Sequence, residues 1–354
     1  MVDSKLVRYT ALIFTFLLGL TVVLMPQKSG CYPLTRTRTN PKYNETSKNQ
    51  LSKTISQTNS QGGSVVLKDV YSNKILTNVS VVANHQMDTC GNKLDLSLMS
   101  WEPGSIMKPL TIQSAMDING LKLDDTVEVE SAEKYGDNII LNHRMFGSGK
   151  YKVKDVSRQS INTGVAKIYQ SFSQDSFIRQ KYWNYRLTHT YRLGEGTGYD
   201  IEHEDKGYVP DYSWVHDTDY RYALSSFGIG IHATPIQMVN AYATALSGNS
   251  KDISEQSTKR LKELLKYNIQ DSIHIKSPTG YKVAIGGKTG TSSMIDKYLS
   301  YSNQDIGSFI GFIELDTKLY IMIVQLVSPN SEHASGDAMN TWKNIVQQLV
   351  DEQL

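Results

Sequence analysis

Ser105-Ile-Met-Lys108, Ser160-Ile-Asn162 and Lys288-Thr-Gly290 occur in that order along a chain of 354 residues, and their side chains are the parts of a serine acyl-transfer site. A serine hydroxyl is a weak nucleophile at neutral pH, so an enzyme that uses one must supply a base, a proton route and a grip on the substrate. Residues three apart on a helix share a face, which lets Lys108 reach back toward the Ser105 hydroxyl. A lysine held against an apolar wall is pushed toward its neutral form, the form a general base needs, and a helix N-terminus adds to the push. Ser160 would relay a proton between that base and a leaving group, while Asn162 would hold the lysine and the substrate amide in register. Lys288 with the Thr289 and Thr291 hydroxyls would face a carboxylate, and Gly290 lets a ligand's backbone come close. The backbone N–H groups of Ser105 and Thr291 are expected to form an oxyanion hole.

Such short patterns recur by chance. Ser131-Ala-Glu-Lys134 repeats the first spacing, but without a Pro-Gly break before it or an apolar continuation after it. Ser47-Lys-Asn49, Ser247-Gly-Asn249 and Ser328-Pro-Asn330 repeat the second in polar stretches that read as loop caps or solvated turns. Order along the chain and flanking apolar sequence single out the first-named copies.

The elements that must hold these groups follow from the pattern. Pro103-Gly104 breaks the chain ahead of a helix over 105–119, and Pro109 falls in its first turns, where a lost donor costs least. Further helices are expected over 160–171, 235–246, 254–267 and 337–350, and strands over 63–70, 75–82, 283–291, 306–313 and 319–326. The charged helix over 254–267 reads as a solvated face. Strands at both ends, helices between them and short links between the last three strands indicate an α/β chain of the α+β type. Its antiparallel sheet would be covered by helices on both faces.

Composition narrows the setting. At 39% hydrophobic, the chain can bury one large domain over 63–354, and a net charge of +2 without a basic stripe argues against nucleic-acid binding. Tyr9–Met25 is a run of 17 uncharged, mostly apolar residues, at the short end of a helical membrane span, with Lys5 and Arg8 before it. Met25-Pro-Gln-Lys28 lacks a small-x-small cleavage pattern, so residues 1–26 read as a short cytoplasmic tail and retained transmembrane helix. Lys28 sits where a lipid-attachment signal ahead of Cys31 wants an apolar residue. Residues 27–62, rich in Ser, Thr, Asn, Gln and Lys, read as a flexible polar linker. Cys31 and Cys90 are too few for a disulfide framework. His143, His203, His216 and His232 are scattered and have no metal-ligand spacing, so no metal and no cofactor are expected.

With these motifs in this order, the chain from Gly63 onward resembles the class B penicillin-binding proteins, monofunctional D,D-transpeptidases of peptidoglycan synthesis. Gly63–Val70 with Asn73–Leu76 resembles the family's opening strand pair, and Trp101–Thr111 its aromatic-Glu-Pro-Gly-Ser segment. Ser226–Met238 resembles its Gly-x-Gly, Thr-Pro-x-Gln stretch, and Phe309–Phe312 the strand beside Lys-Thr-Gly. The resemblance implies a five-stranded antiparallel sheet with a mostly helical second lobe. It implies Ser105 as acyl-enzyme nucleophile, Lys108 as base, Ser160 and Asn162 as relay and positioner, and Lys288, Thr289 and Thr291 on the substrate carboxylate. Stem peptides ending in D-Ala-D-Ala would be the substrate, β-lactams covalent inhibitors, and the catalytic domain would lie outside the cytoplasmic membrane. Only the polar linker stands where family members carry a long pedestal region, which leaves docking to a polymerising glycosyltransferase partner open. A serine β-lactamase or D,D-carboxypeptidase would use the same clusters with water as acceptor, though no Glu-x-x-Leu-Asn segment is found. A non-catalytic β-lactam sensor or cell-wall scaffold is the third reading.

Overall fold

The computed structural model describes residues 39–83, 94–142, 147–200, 203–211, 218–277, 281–295, 301–329 and 333–352. Its first element corrects the linker expectation: α1 (Pro41–Thr58) is a helix where flexible chain was expected. Asn40 caps it by accepting from Lys42 N at 3.0 Å, and Pro41 opens its first turn. Ser47, Leu51 and Ile55, four residues apart, are buried along one stripe. With Thr46 buried beside it, the covered face still contains only two aliphatic side chains, so it carries little signal in a polar sequence.

β1 (Gly62–Asp69) and β2 (Ile75–Val82) form a hairpin, and α2 (Lys108–Asn119) follows after 3-10 turns at Leu96–Leu98 and Gly104–Met107. Short strands β3 (Thr126–Val129), β4 (Ala132–Tyr135), β5 (Asn138–Leu141) and β6 (Gly149–Lys152) pair as β3 with β6 and β4 with β5. Helices α3 (Val153–Arg158), α4 (Asn162–Gln170), α5 (Ser176–Tyr185), α6 (Thr218–Ser225), α7 (Pro235–Ser247) and α8 (Glu255–Ile269) come next. β7 (Val283–Ile295), β8 (Tyr301–Leu315), β9 (Lys318–Pro329) and α9 (Ala334–Asp351) complete the described chain.

The main sheet is antiparallel with strand order β2-β1-β9-β8-β7, the expected five strands. Alternate residues of β9 feed different cores: Leu319, Ile321 and Ile323 pack on the helical lobe, while Tyr320, Met322, Val324 and Leu326 pack under α1 and α9. A strand covered on both faces reads as one continuous apolar run, which is why its sequence is legible. Trp342 of α9 anchors the second face, donating its indole N–H to Met322 O at 3.0 Å and meeting the Phe309 ring edge-on at 5.1 Å. α1 joins the same layer, with Thr54 Oγ1 and Thr341 Oγ1 2.7 Å apart.

On the opposite face α2 is buried from Lys108 to Met116, which removes any amphipathic stripe and makes it the centre of the helical lobe. α7 starts with a capping box: Thr234 Oγ1 accepts from Gln237 N at 3.1 Å and Gln237 Oε1 accepts from Thr234 N at 2.7 Å. No described helix is long and apolar enough to cross a membrane. The expected span at Tyr9–Met25 lies outside the described residues, as do Cys31 and Cys90.

Candidate active site

The 3-10 turn that carries Ser105 is held from several sides. Gly104 adopts φ 56°, a left-handed conformation that favours glycine, and its N–H donates to Gly228 O at 3.0 Å. The buried Tyr242 of α7 donates its hydroxyl to Ile106 O at 2.6 Å. The chain becomes α-helical only at Lys108, three residues later than expected, with Pro109 in the first turn where its missing donor is harmless.

Lys108 is fully buried. Its Nζ donates to Ser160 O at 2.6 Å and Asn162 Oδ1 at 2.7 Å, and lies 3.0 Å from Ser160 Oγ. All three partner atoms belong to Ser160 and Asn162, so the hydrogen bonds of this lysine run to the second cluster. A carbonyl and an amide oxygen only accept, so two N–H bonds are committed to them, whereas the Ser160 hydroxyl can donate. A neutral Lys108 amine therefore presents its lone pair to Ser160.

Ser160 sits between α3 and α4 with φ 60°, and its N–H donates to Ser157 O at 3.1 Å. This left-handed kink brings both its carbonyl and its hydroxyl to Lys108. Asn162 is oriented from the far side, where its Nδ2 donates to Leu141 O at 3.0 Å and leaves Oδ1 for the lysine. Next to it, Asn142 Oδ1 accepts from Thr163 N at 3.0 Å, capping α4 from outside its own helix.

Lys288 comes to the same point from edge strand β7. Its Nζ lies 3.2 Å from Ser160 Oγ and donates to Thr289 O at 2.9 Å. Burial lowers its pKa from 10.5 to about 7. Lys108 is driven well below its ordinary value, first by burial and then by the neighbouring Lys288 charge. Two amines so close do not both hold protons easily, and Ser160 stands between them.

The first and third clusters touch. A Cβ placed on Gly104 would lie 2.6 Å from Thr291 O, and one on Gly290 would lie 2.9 Å from both Ile106 Cγ2 and Pro103 O. The approach of Thr291 O to Gly104 puts that carbonyl on the open edge of β7. The N–H of the same residue points the same way, because both groups of a strand residue share a side. Thr291 is exposed and Thr289 half-buried, on one face of the strand.

The other pattern matches lie elsewhere. Lys134 is on β4, not on a helix, and Ser247 Oγ accepts from Asn249 N at 3.1 Å in a turn, as expected. Ser47 and Asn49 are helical residues of α1, which corrects their reading as a loop, and the side chains of Ser328 and Asn330 lie outside the described residues. His203 pairs with Asp200 at 2.8 Å, and burial lowers the pKa of His232. His143 and His216 lie outside the described residues. Among the described residues no group of three or more His, Cys, Asp or Glu could hold a metal ion. Sequence reasoning missed Tyr242, Leu141 and Asn142, whose contributions are a phenol, a backbone carbonyl and a cap supplied across the chain, none with a local pattern.

The chain is 24% identical over 277 residues to the peptidoglycan D,D-transpeptidase FtsI of Buchnera aphidicola subsp. Baizongia pistaciae, covering 71% of this chain and 46% of that protein. It is 24% identical over 261 residues to the stage V sporulation protein D of Bacillus subtilis, covering 65% and 38%. The chain thus spans less than half the length of these two relatives. Its fold matches the transpeptidase domain of Burkholderia pseudomallei penicillin-binding protein 3 with a TM-score of 0.73 at 17% identity, over 92% of this chain and 98% of that one. It also matches penicillin-binding protein 3 of Mycobacterium tuberculosis, solved with aztreonam, with a TM-score of 0.73 at 18% identity, over 88% and 77%. Since the family description "Penicillin binding protein transpeptidase domain" matches residues 37–349, the chain belongs to that family.

Proposed function

We propose that this protein is a peptidoglycan D,D-transpeptidase that works through an acyl-enzyme on Ser105. The observation that carries the reading is the meeting of Lys108, Ser160, Asn162 and Lys288 within hydrogen-bond distance, beside the turn bearing Ser105. In this reading Ser105 Oγ attacks the carbonyl of the penultimate D-Ala of a stem peptide and passes its proton to neutral Lys108. The Lys108–Ser105 contact forms when substrate is bound, the amine turning its lone pair from Ser160 to Ser105, since catalytic hydrogen bonds are commonly long or misaligned without substrate. The N–H groups of Ser105 and Thr291 hold the oxyanion. Ser160 returns the proton to the departing D-Ala nitrogen, and the C–N bond breaks. Asn162 keeps the lysine and the substrate amide aligned, while Lys288, Thr289, Gly290 and Thr291 receive the terminal carboxylate. An amine on a neighbouring stem then attacks the ester, loses its proton to the same relay and frees Ser105. β-Lactams would trap the same serine as a stable ester.

The setting proposed with this activity is a single-pass anchor at Tyr9–Met25, with the catalytic domain outside the cytoplasmic membrane and a polymerising glycosyltransferase as membrane partner. A purified chain incubated with a pentapeptide donor and an amine acceptor should release D-Ala and yield the amide-linked product. Release of D-Ala with hydrolysed donor alone would point to a carboxypeptidase. Covalent capture of β-lactam without any D-Ala release would point to a sensor or scaffold.

A further inference from the structure

Segment 101–104, which leads into the nucleophile, is laddered to the turn 228–233. Trp101 N donates to Ala233 O at 3.1 Å, Ala233 N to Trp101 O at 3.0 Å, and Gly104 N to Gly228 O at 3.0 Å. Between these rungs the Glu102 carboxylate, only 5% exposed, accepts from Gly230 N at 2.8 Å. A side chain thus completes the ladder where the turn swings away from the strand-like segment.

Gly228 has φ 88°, and a Cβ there would lie 2.1 Å from Gly104 O. Gly104 in turn abuts Thr291 O on the edge of β7. The turn, Gly104 and β7 therefore stack backbone on backbone with no flexible side chain between them. Gly104 O and Ser105 N–H belong to one planar peptide unit, so pressure on the carbonyl sets the direction of the N–H. We propose that Glu102 is a positioning residue which, by holding the Gly228–Gly230 turn against that peptide plane, aims the Ser105 N–H at the oxyanion. The inference rests on the acyl-transfer reading above and extends it to a group that never touches substrate.

Loss of an oxyanion donor costs about 10²–10³ in rate, so a tilted donor should cost a sizeable part of that. The test uses the full chain and a fluorescent penicillin, with acylation followed across probe concentration so that initial binding and the acylation step are separated. Glu102→Ala should lower the limiting acylation rate by roughly tenfold or more while leaving initial binding nearly unchanged. Glu102→Gln retains a carbonyl acceptor for Gly230 N and should restore most of the rate. A structural role alone would lower the melting temperature and the active fraction without separating acylation from binding. Wild-type acylation by Glu102→Ala, a loss confined to initial binding, or Glu102→Gln as slow as Glu102→Ala would each overturn the proposal. Should Glu102→Ala fail to fold, Glu102→Asp, which falls one methylene short of Gly230, must be slower than Glu102→Gln; the opposite order overturns it. Failure of the wild-type chain to be acylated at all would instead condemn the acyl-transfer reading itself.

Discussion

Ser160 carries more of the site than its place in a three-residue pattern suggests. It touches both buried lysines and holds a left-handed backbone conformation to do so. Ser160→Ala and Ser160→Gly both delete the hydroxyl and should both abolish efficient acylation. Alanine retains the Cβ that clashes in this conformation, so Ser160→Gly should be the more stable of the two by about 1 kcal/mol in urea unfolding; equal stabilities would mean that the kink relaxes. Lys108→Met keeps the length and removes the amine, and acylation should fall by roughly 10²-fold or more, the scale of a lost proton acceptor. A near-native rate would transfer the role of base to Lys288. Lys288 also makes stability depend on pH. Between about 7 and its ordinary 10.5 the folded chain binds fewer protons at this lysine than the unfolded chain does, so unfolding free energy should rise with pH across that window. Lys68, lowered to about 8 by burial, contributes with the same sign. Comparing unfolding at pH 7 and pH 9.5, Lys288→Met should show a smaller rise than the wild type, and an identical rise would contradict the assignment.

At the level of elements, what could be read depended on how each one is buried. β9 was legible because both its faces are apolar, and α7 because Thr234-Pro-x-Gln237 announces a capped start. The strands β3 to β6 and the helices α3, α5 and α6 were not read. The strands are four residues each, and their faces are completed by partners distant in sequence, as when Glu133 meets Lys167 of α4 at 2.7 Å. β5 nonetheless matters to the site, because its last residue, Leu141, orients Asn162. α1 was read as linker because Leu51 and Ile55 are its main apolar contribution to the core. Leu51 is completely buried against the sheet, so Leu51→Ala should cost about 2–5 kcal/mol of stability while the folded fraction still acylates at the wild-type rate. A change under about 1 kcal/mol would return α1 to the status of a tether.

Taken whole, the molecule gathers groups from three widely separated stretches at one edge of a sheet. That Lys108, Ser160, Asn162 and Lys288 belong together was legible because acyl transfer demands particular functional groups in a particular order, and the structure brings these four side chains into contact. Their mutual geometry was not, since it depends on Gly104 meeting β7 and on Ser160 bending backward between two helices. The helical lobe carries Lys108, Ser160 and Asn162, the sheet carries Lys288 on its edge strand, and the two cores on either side of the sheet keep that edge in place. Fluorescent penicillin labelling of the native chain and of Ser105→Ala, followed by mass spectrometry of the digested adduct, tests this convergence most directly. The adduct should map to Ser105 and disappear in the variant. Equal labelling of Ser105→Ala, or an adduct on any other residue, would contradict it.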